Sequence, residues 1–184
     1  MKKRLALALA LSSVCALSIP VAPAAGAYET PDAKAAASEA AAMALSDMSD
    51  AFGDKQLKPG QYLWRDVSAD AGAERVVISL SDQLAFLYRG DTLVAVSTIS
   101  SGRDDKPTPT GIFPILEKQP MYRSVKYDNA PMPFMQRLDQ YGVALHAGFN
   151  PGTPASHGCV RLPAKFAAKL YSVTEVGTPV FIGT

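Results

Sequence analysis

The stretch RVVISLSDQLAFLYRGDTLVAVSTISSG, residues 75–102, decides the fold class. Val76–Leu80 is short and β-branched. Two further apolar runs, Leu84–Tyr88 and Thr92–Ile99, stand on either side of Gly90-Asp91. Short runs rich in Val, Ile, Thr and aromatics read as strands, and Gly-Asp between two of them reads as a two-residue hairpin. Downstream, Pro107-Thr108-Pro109-Thr110-Gly111 punctuates the chain before another apolar run, Ile112–Leu116. Residues 117–142 are polar, with aromatics and with prolines at 120, 131 and 133, and read as a long excursion rather than a core element. Gly142–Leu145 looks like a short strand ending at His146. After Pro163, which suits a first helical turn, Phe166, Ala167, Leu170 and Tyr171 recur at helical spacing. Gly177 and Pro179 end that helix before a last strand over 178–182. The expectation is a mainly β domain with one short helix and no internal repeat.

Upstream the texture differs. Residues 28–54 are dominated by alanine, and residues 55–74 carry Pro59-Gly60 and the aromatic pair Tyr62 and Trp64. With few large apolar residues, 28–74 reads as an Ala-rich spacer of helical propensity over 28–54 and a lead-in over 55–74 that packs on the domain, and 75–184 as the folded domain. The chain opens with Lys2, Lys3 and Arg4, continues in the nearly uncharged run Leu5–Leu17, and reaches the small residues Ala25-Gly26-Ala27. That is the pattern of a secretory signal over residues 1–27. Ser12, Ser13, Pro20 and Pro23 interrupt the run and argue against a retained spanning helix. Without residues 1–27 the formal charge of +1 falls to −2, because three basic and no acidic residues leave. No basic excess points to nucleic acid, and no later apolar run is long enough for a membrane span. The expected place is outside the cytoplasm, in the periplasm or cell wall.

Export makes the cysteines informative. The chain has two cysteines and two histidines. Cys15 leaves with the signal, so Cys159 becomes an unpaired thiol in an oxidising compartment, where it cannot form an intramolecular disulfide. An inert core cysteine is the bland account, and a nucleophile is the sharp one. PASHGCVRLP, residues 154–163, puts Ser156, His157, Gly158 and Arg161 around it. A cysteine nucleophile calls for a base or a positive neighbour to hold it as thiolate. Both His157 and His146 are available, and His146, at a strand end, is the favoured base. Gly158 permits a tight turn, so that the N–H groups of Gly158 and Cys159 converge on a developing oxyanion. Arg161 offers a positive fork for a substrate carboxylate. Two histidines and a thiol also make a zinc set, but no acidic residue stands within several positions of either histidine. The reading therefore assigns no metal and no cofactor.

SHGCVRLP, preceded by ALHAG and KPTPTGIF and followed by KLYSVTEVGTPVFI, resembles the catalytic domain of the L,D-transpeptidases, the YkuD-type domain. The resemblance runs from about Arg75 to the C-terminus and includes NAPMPFMQRL. It implies a β-sandwich-like domain acting on peptidoglycan stem peptides. Such enzymes cut the bond between diaminopimelate and the terminal D-alanine of a tetrapeptide stem and pass the acyl group through a thioester to an amine. Carried over by position, Cys159 is the nucleophile and His146 the base, oriented by the backbone carbonyl of Ala147. His157 and Gly158 shape the pocket and oxyanion hole, Arg161 lies beside it, and Ser156 braces the loop. Many relatives have His-Gly where this chain has His146-Ala147-Gly148, and the stretch from His146 to Cys159 is short, which leaves the acceptor open. A second stem, a murein-linked lipoprotein and water are the alternatives. A non-catalytic wall-binding module is the reading from a different class.

Overall fold

A computed structural model describes residues 27–184, so the signal expected upstream, Cys15 included, lies outside the described residues. A 3-10 turn, Ala27–Glu29, leads into helix α1, Pro31–Phe52. Strands β1 (Tyr62–Trp64), β2 (Glu74–Ser79), β3 (Leu84–Arg89), β4 (Thr92–Thr98) and β5 (Gly111–Pro114) follow. Then come β6 (Glu117–Arg123), β7 (Pro131–Arg137), β8 (Ala144–Ala147) and β9 (Val160–Leu162), helix α2 (Ala164–Val173), and β10 (Pro179–Gly183). The strands form a six-stranded sheet, β1-β4-β3-β2-β10-β5, and a four-stranded sheet, β6-β7-β8-β9. The expected mainly β, sandwich-like architecture is what is found, with the short helix α2 directly after the Cys159 loop. Gly90-Asp91 makes the expected two-residue turn, and Arg89 pairs with Thr92 across it.

Alternation along the central strands divides the core in two. Val76, Ile78, Leu87, Phe113, Val180 and Ile182 of the large sheet meet Leu145, Val160 and Leu162 of the small one, with Phe166 and Leu170 of α2 between them. The opposite face of the large sheet carries Val77, Phe86, Tyr88, Leu93 and Val96. Both faces are apolar, which is why the strands read as nearly continuous hydrophobic runs.

Helix α1 covers that second face, and here the structure departs from the spacer reading. Ala37, Ala41, Ala44 and Met48 recur at intervals of four, three and four and are buried on the sheet. The stripe is made of small residues, so it was weak as a hydrophobic signal, yet smallness is what lets the helix lie close. Thr30 caps the helix by accepting from the Ala33 N–H at 3.2 Å, with Pro31 in the first turn. Tyr88 donates to Asp47 at 2.6 Å, tying the helix to β3. Burial is the main cause that pushes the Tyr88 phenol up, with the Asp47 carboxylate adding to it. The lead-in is structural too: β1 pairs with β4, and the rings of Tyr62 and Trp64 pack on Phe166 at 5.7 and 6.0 Å.

The close approach gives a testable consequence at Gly183. A Cβ there would fall 2.4 Å from the carbonyl oxygen of Ala37 and 2.6 Å from its carbon. Both are backbone atoms that no rotamer change can move away. Gly183→Val is expected to destabilise the fold by about 1–3 kcal/mol through overpacking. Thermal melting checks this, and an unchanged melting temperature would mean that α1 is not held against β10.

Residues 117–142 also differ from expectation. They form the hairpin β6–β7 rather than an unstructured excursion. The strand signal is faint because β6 is an edge strand with little burial, and Pro120 sits on it. Pro131 and Pro133 occupy the half of β7 that β8 does not pair, where a missing N–H costs no ladder bond on that side.

Candidate active site

Parallel pairing of β8 with β9 brings the chemistry-bearing residues together. The register sets Leu145 beside Val160, His146 beside Arg161 and Ala147 beside Leu162. Twelve residues of sequence between His146 and Cys159 thus collapse to neighbouring strand positions, with Cys159 one residue ahead of β9. His146 is buried, and its Nδ1 lies 2.8 Å from the carbonyl oxygen of Ala147. A carbonyl only accepts, so Nδ1 carries the proton and a neutral ring leaves Nε2 bare. The Cys159 thiol donates to the Gly142 carbonyl at 3.6 Å. Both side chains, with Ser156, His157 and Arg161, line one cavity of about 500 Å³.

The loop before β9 is fixed from below by β-like bonds to residues 100–108. Ser100 and Arg161 exchange backbone bonds of 3.0 and 2.9 Å, and the Ala155 and Ser156 N–H groups both donate to the Ser101 carbonyl. Thr108 Oγ1 accepts from the Gly102 N–H at 2.8 Å and donates to the Gly158 carbonyl at 2.9 Å. Gly158 takes φ +115°, a left-handed value that a side chain would strain. The hydroxyl of Ser156 donates to the Cys159 carbonyl at 2.5 Å and accepts from the Gly158 N–H at 3.1 Å. This corrects one expectation. The Gly158 N–H is committed to Ser156, so it does not stand free beside the Cys159 N–H as the two-donor reading requires.

Desolvation also bears on ionisation. Burial pushes the Cys159 thiol up, and the Asp139 charge adds to that; a backbone hydrogen bond at Ala144 and the Arg161 charge offset it only in part. Burial likewise pushes the His146 imidazole down, with the Arg161 charge in the same direction, against the Ala147 bond. Desolvation favours the neutral form of each. Each group is thus biased toward its neutral form, whereas the sequence reading called for a thiolate.

The cavity wall is cationic. Lys126, Arg137 and Arg161 line it, with no carboxylate among the lining residues. Arg137 is engaged by Glu117 at 2.6 Å, whereas no carboxylate pairs with Arg161 among the described residues. Ala147 keeps its side chain in the core and presents only its carbonyl. His157 stacks on Tyr127, with centroids 4.5 Å apart and planes at 16°. Among the described residues, no three His, Cys, Asp or Glu side chains gather as a metal-ligand set. Sequence reasoning missed Tyr127, Lys126, Tyr141 and Phe149 on the cavity rim, and Thr108 beneath the loop. Only Thr108 stood in a motif, the Pro-Thr-Pro punctuation, that marked it out.

The domain has relatives among known proteins. The family model YkuD, described as the L,D-transpeptidase catalytic domain, matches residues 73–182. A curated protein of Bacillus licheniformis, whose name places it among the YkuD L,D-transpeptidases, is 31% identical over 114 residues. That match covers 59% of this chain and 64% of the relative, so the chain spans less than two thirds of that protein's length. Among solved structures, an L,D-transpeptidase from Mycobacterium smegmatis superposes with a TM-score of 0.57 at 20% identity, over 60% of this chain and 58% of that one. One from Enterococcus faecium gives 0.53 at 23% identity, over 60% and 49%. At these identities the superpositions speak for the fold.

Proposed function

The chain belongs to the YkuD family of L,D-transpeptidase catalytic domains, and from that membership we propose that it is an exported peptidoglycan L,D-transpeptidase with Cys159 as nucleophile and His146 as base. The observation that carries this reading is the shared cavity: a thiol and an imidazole, the latter with Nε2 bare, open onto one cationic pocket. The donor is a tetrapeptide stem. Its carboxylates suit the unpaired Arg161 and Lys126.

In the first half-reaction the Cys159 Sγ attacks the diaminopimelate carbonyl while its proton passes to His146 Nε2. The Ala147 carbonyl holds the ring in the tautomer that accepts it. The tetrahedral oxyanion takes the Cys159 N–H. Collapse breaks the bond to D-alanine, the imidazolium returns its proton to the leaving amine, and a thioester remains. In the second half-reaction an amine of another stem attacks the thioester, giving a 3-3 cross-link and restoring the thiol. Water in place of the amine gives a carboxypeptidase, and a lipoprotein amine gives anchoring, with the same first half.

Export is supported by the charged and apolar N-terminal sequence. Among the described residues no helix is long and apolar enough to cross a membrane. The test is intact-protein mass after mixing with disaccharide-tetrapeptide. A gain equal to the disaccharide-tripeptide acyl group, with D-alanine released, is expected. Retained murein binding with neither adduct nor product would instead favour a wall-binding module.

A further inference from the structure

Phe134, in the middle of β7, has φ +56°, a left-handed value that a bulky residue seldom adopts. It lies between pairs that keep normal register, Gln119 with Met135 and Met121 with Pro133, so no residue is inserted. What changes is the side on which residues face. The Phe134 ring sits 5.9 Å from that of Tyr171 on α2, and Gln136 lies 2.6 Å from the Thr174 hydroxyl at the end of α2. Residues 134 and 136 thus face α2, and strict alternation would turn residue 132 the same way. Instead Met132 joins Met135 and Ala144 in one apolar cluster, with Tyr122, its cross-strand partner, and Cys159 packed against it.

We propose that Phe134 is a positioning residue of the active site: its left-handed backbone turns Met132 and Met135 onto one side of β7 and so builds the apolar wall against which Cys159 sits. The inference rests on the reading of Cys159 as nucleophile. An apolar wall has a specific chemical effect, since it withholds water from the sulfur and favours the thiol over the thiolate. Burial is the largest influence on this thiol. Other charged or titratable groups around it are His146 on β8, Arg161 on β9, Arg137 on β7, Tyr122 on β6, Asp139 and Tyr141 beyond β7, His157 in the loop, Asp105 and Lys106 before β5, and Lys126 and Tyr127 at the hairpin tip. Substitution of Phe134 removes none of these groups.

The experiment measures the rate of Cys159 alkylation by iodoacetamide against pH in the full chain, read by peptide mapping so that Cys15 does not contribute. Glycine and asparagine tolerate left-handed backbone, whereas β-branched valine does not. Phe134→Gly and Phe134→Asn lose the ring contact with Tyr171 and are expected to melt earlier. Their alkylation midpoint should nevertheless stay where wild type has it. Phe134→Val is expected to lower the midpoint by about one pH unit, because one methionine swings away from the thiol. A shifted midpoint in the glycine or asparagine variant would overturn the proposal, as would a folded valine variant with the wild-type midpoint. Should the valine variant fail to fold, Met132→Ser supplies the other arm and is expected to lower the midpoint likewise; an unmoved midpoint there also overturns it. Alkylation uses no substrate, so these outcomes stand apart from whether the chain transfers acyl groups.

Discussion

Cys159→Ala is expected to abolish the acyl-enzyme completely and to cut D-alanine release by roughly 10⁴-fold or more. No other described side chain offers a thiol, and the nearest hydroxyl on the loop, Ser156, is spent on the Cys159 carbonyl and the Gly158 N–H. The fold should survive. The sulfur's contacts are the Gly142 carbonyl and the apolar cluster of Met132, Met135 and Ala144, and removing one such atom costs about 1 kcal/mol. Arg161 and the rest of the cavity are untouched, so stem-peptide binding should persist in the variant. Intact mass, D-alanine release and a binding measurement on the same preparation separate the two readings of the site. Turnover that survives the substitution would remove Cys159 from the mechanism. Binding in both proteins with turnover in neither would point to a wall-binding module.

How much of this was legible in the sequence differs by element, and the reason is burial. The strands 74–98 and the Gly90-Asp91 turn were readable because their residues are buried on both faces and the turn has a local chemical signature. Helix α2 was readable from Phe166, Ala167 and Leu170. Helix α1 was legible only as a propensity and not as a packed element, since its buried stripe is alanine but for Met48, and alanine carries little hydrophobic contrast with its neighbours. Yet the clue was present: Val76-Val77-Ile78 leaves no polar face for solvent, so something has to cover the second side. The hairpin β6–β7 lay hidden because an edge strand needs no alternation, and its prolines pointed the other way.

The site divides along the same line. The residues of the loop were legible as a group because Ser156, His157, Gly158 and Cys159 are contiguous, and His146 because histidines are so few. Their wiring was not. That Ser156 occupies the Gly158 N–H, or that His157 stacks on Tyr127, depends on a φ value and on a hairpin tip thirty residues away. The direction of the ionisation shifts was hidden for a related reason. Sequence shows a histidine near a cysteine, whereas burial, a property of the assembled fold, biases each toward its neutral form.

That bias shapes the second large effect, at His146→Gln. Glutamine can still donate to the Ala147 carbonyl but cannot take a proton from the thiol, so acylation at pH 7 is expected to fall by about 10²–10⁴-fold. The pH dependence is the stricter check. In wild type the base must be unprotonated. Its ionisation is depressed by burial and by Arg161, so the acid limb should lie below the ordinary histidine range and the rate should be flat through neutrality. In the variant only the thiolate fraction attacks, and burial has pushed that ionisation up. Its rate should therefore climb about tenfold per pH unit toward the alkaline range, and the deficit against wild type should shrink by the same factor. If the deficit stays constant with pH, His146 positions the site without accepting the proton. If the acid limb persists in the variant, the titrating base is another group, and His157 is the histidine that remains.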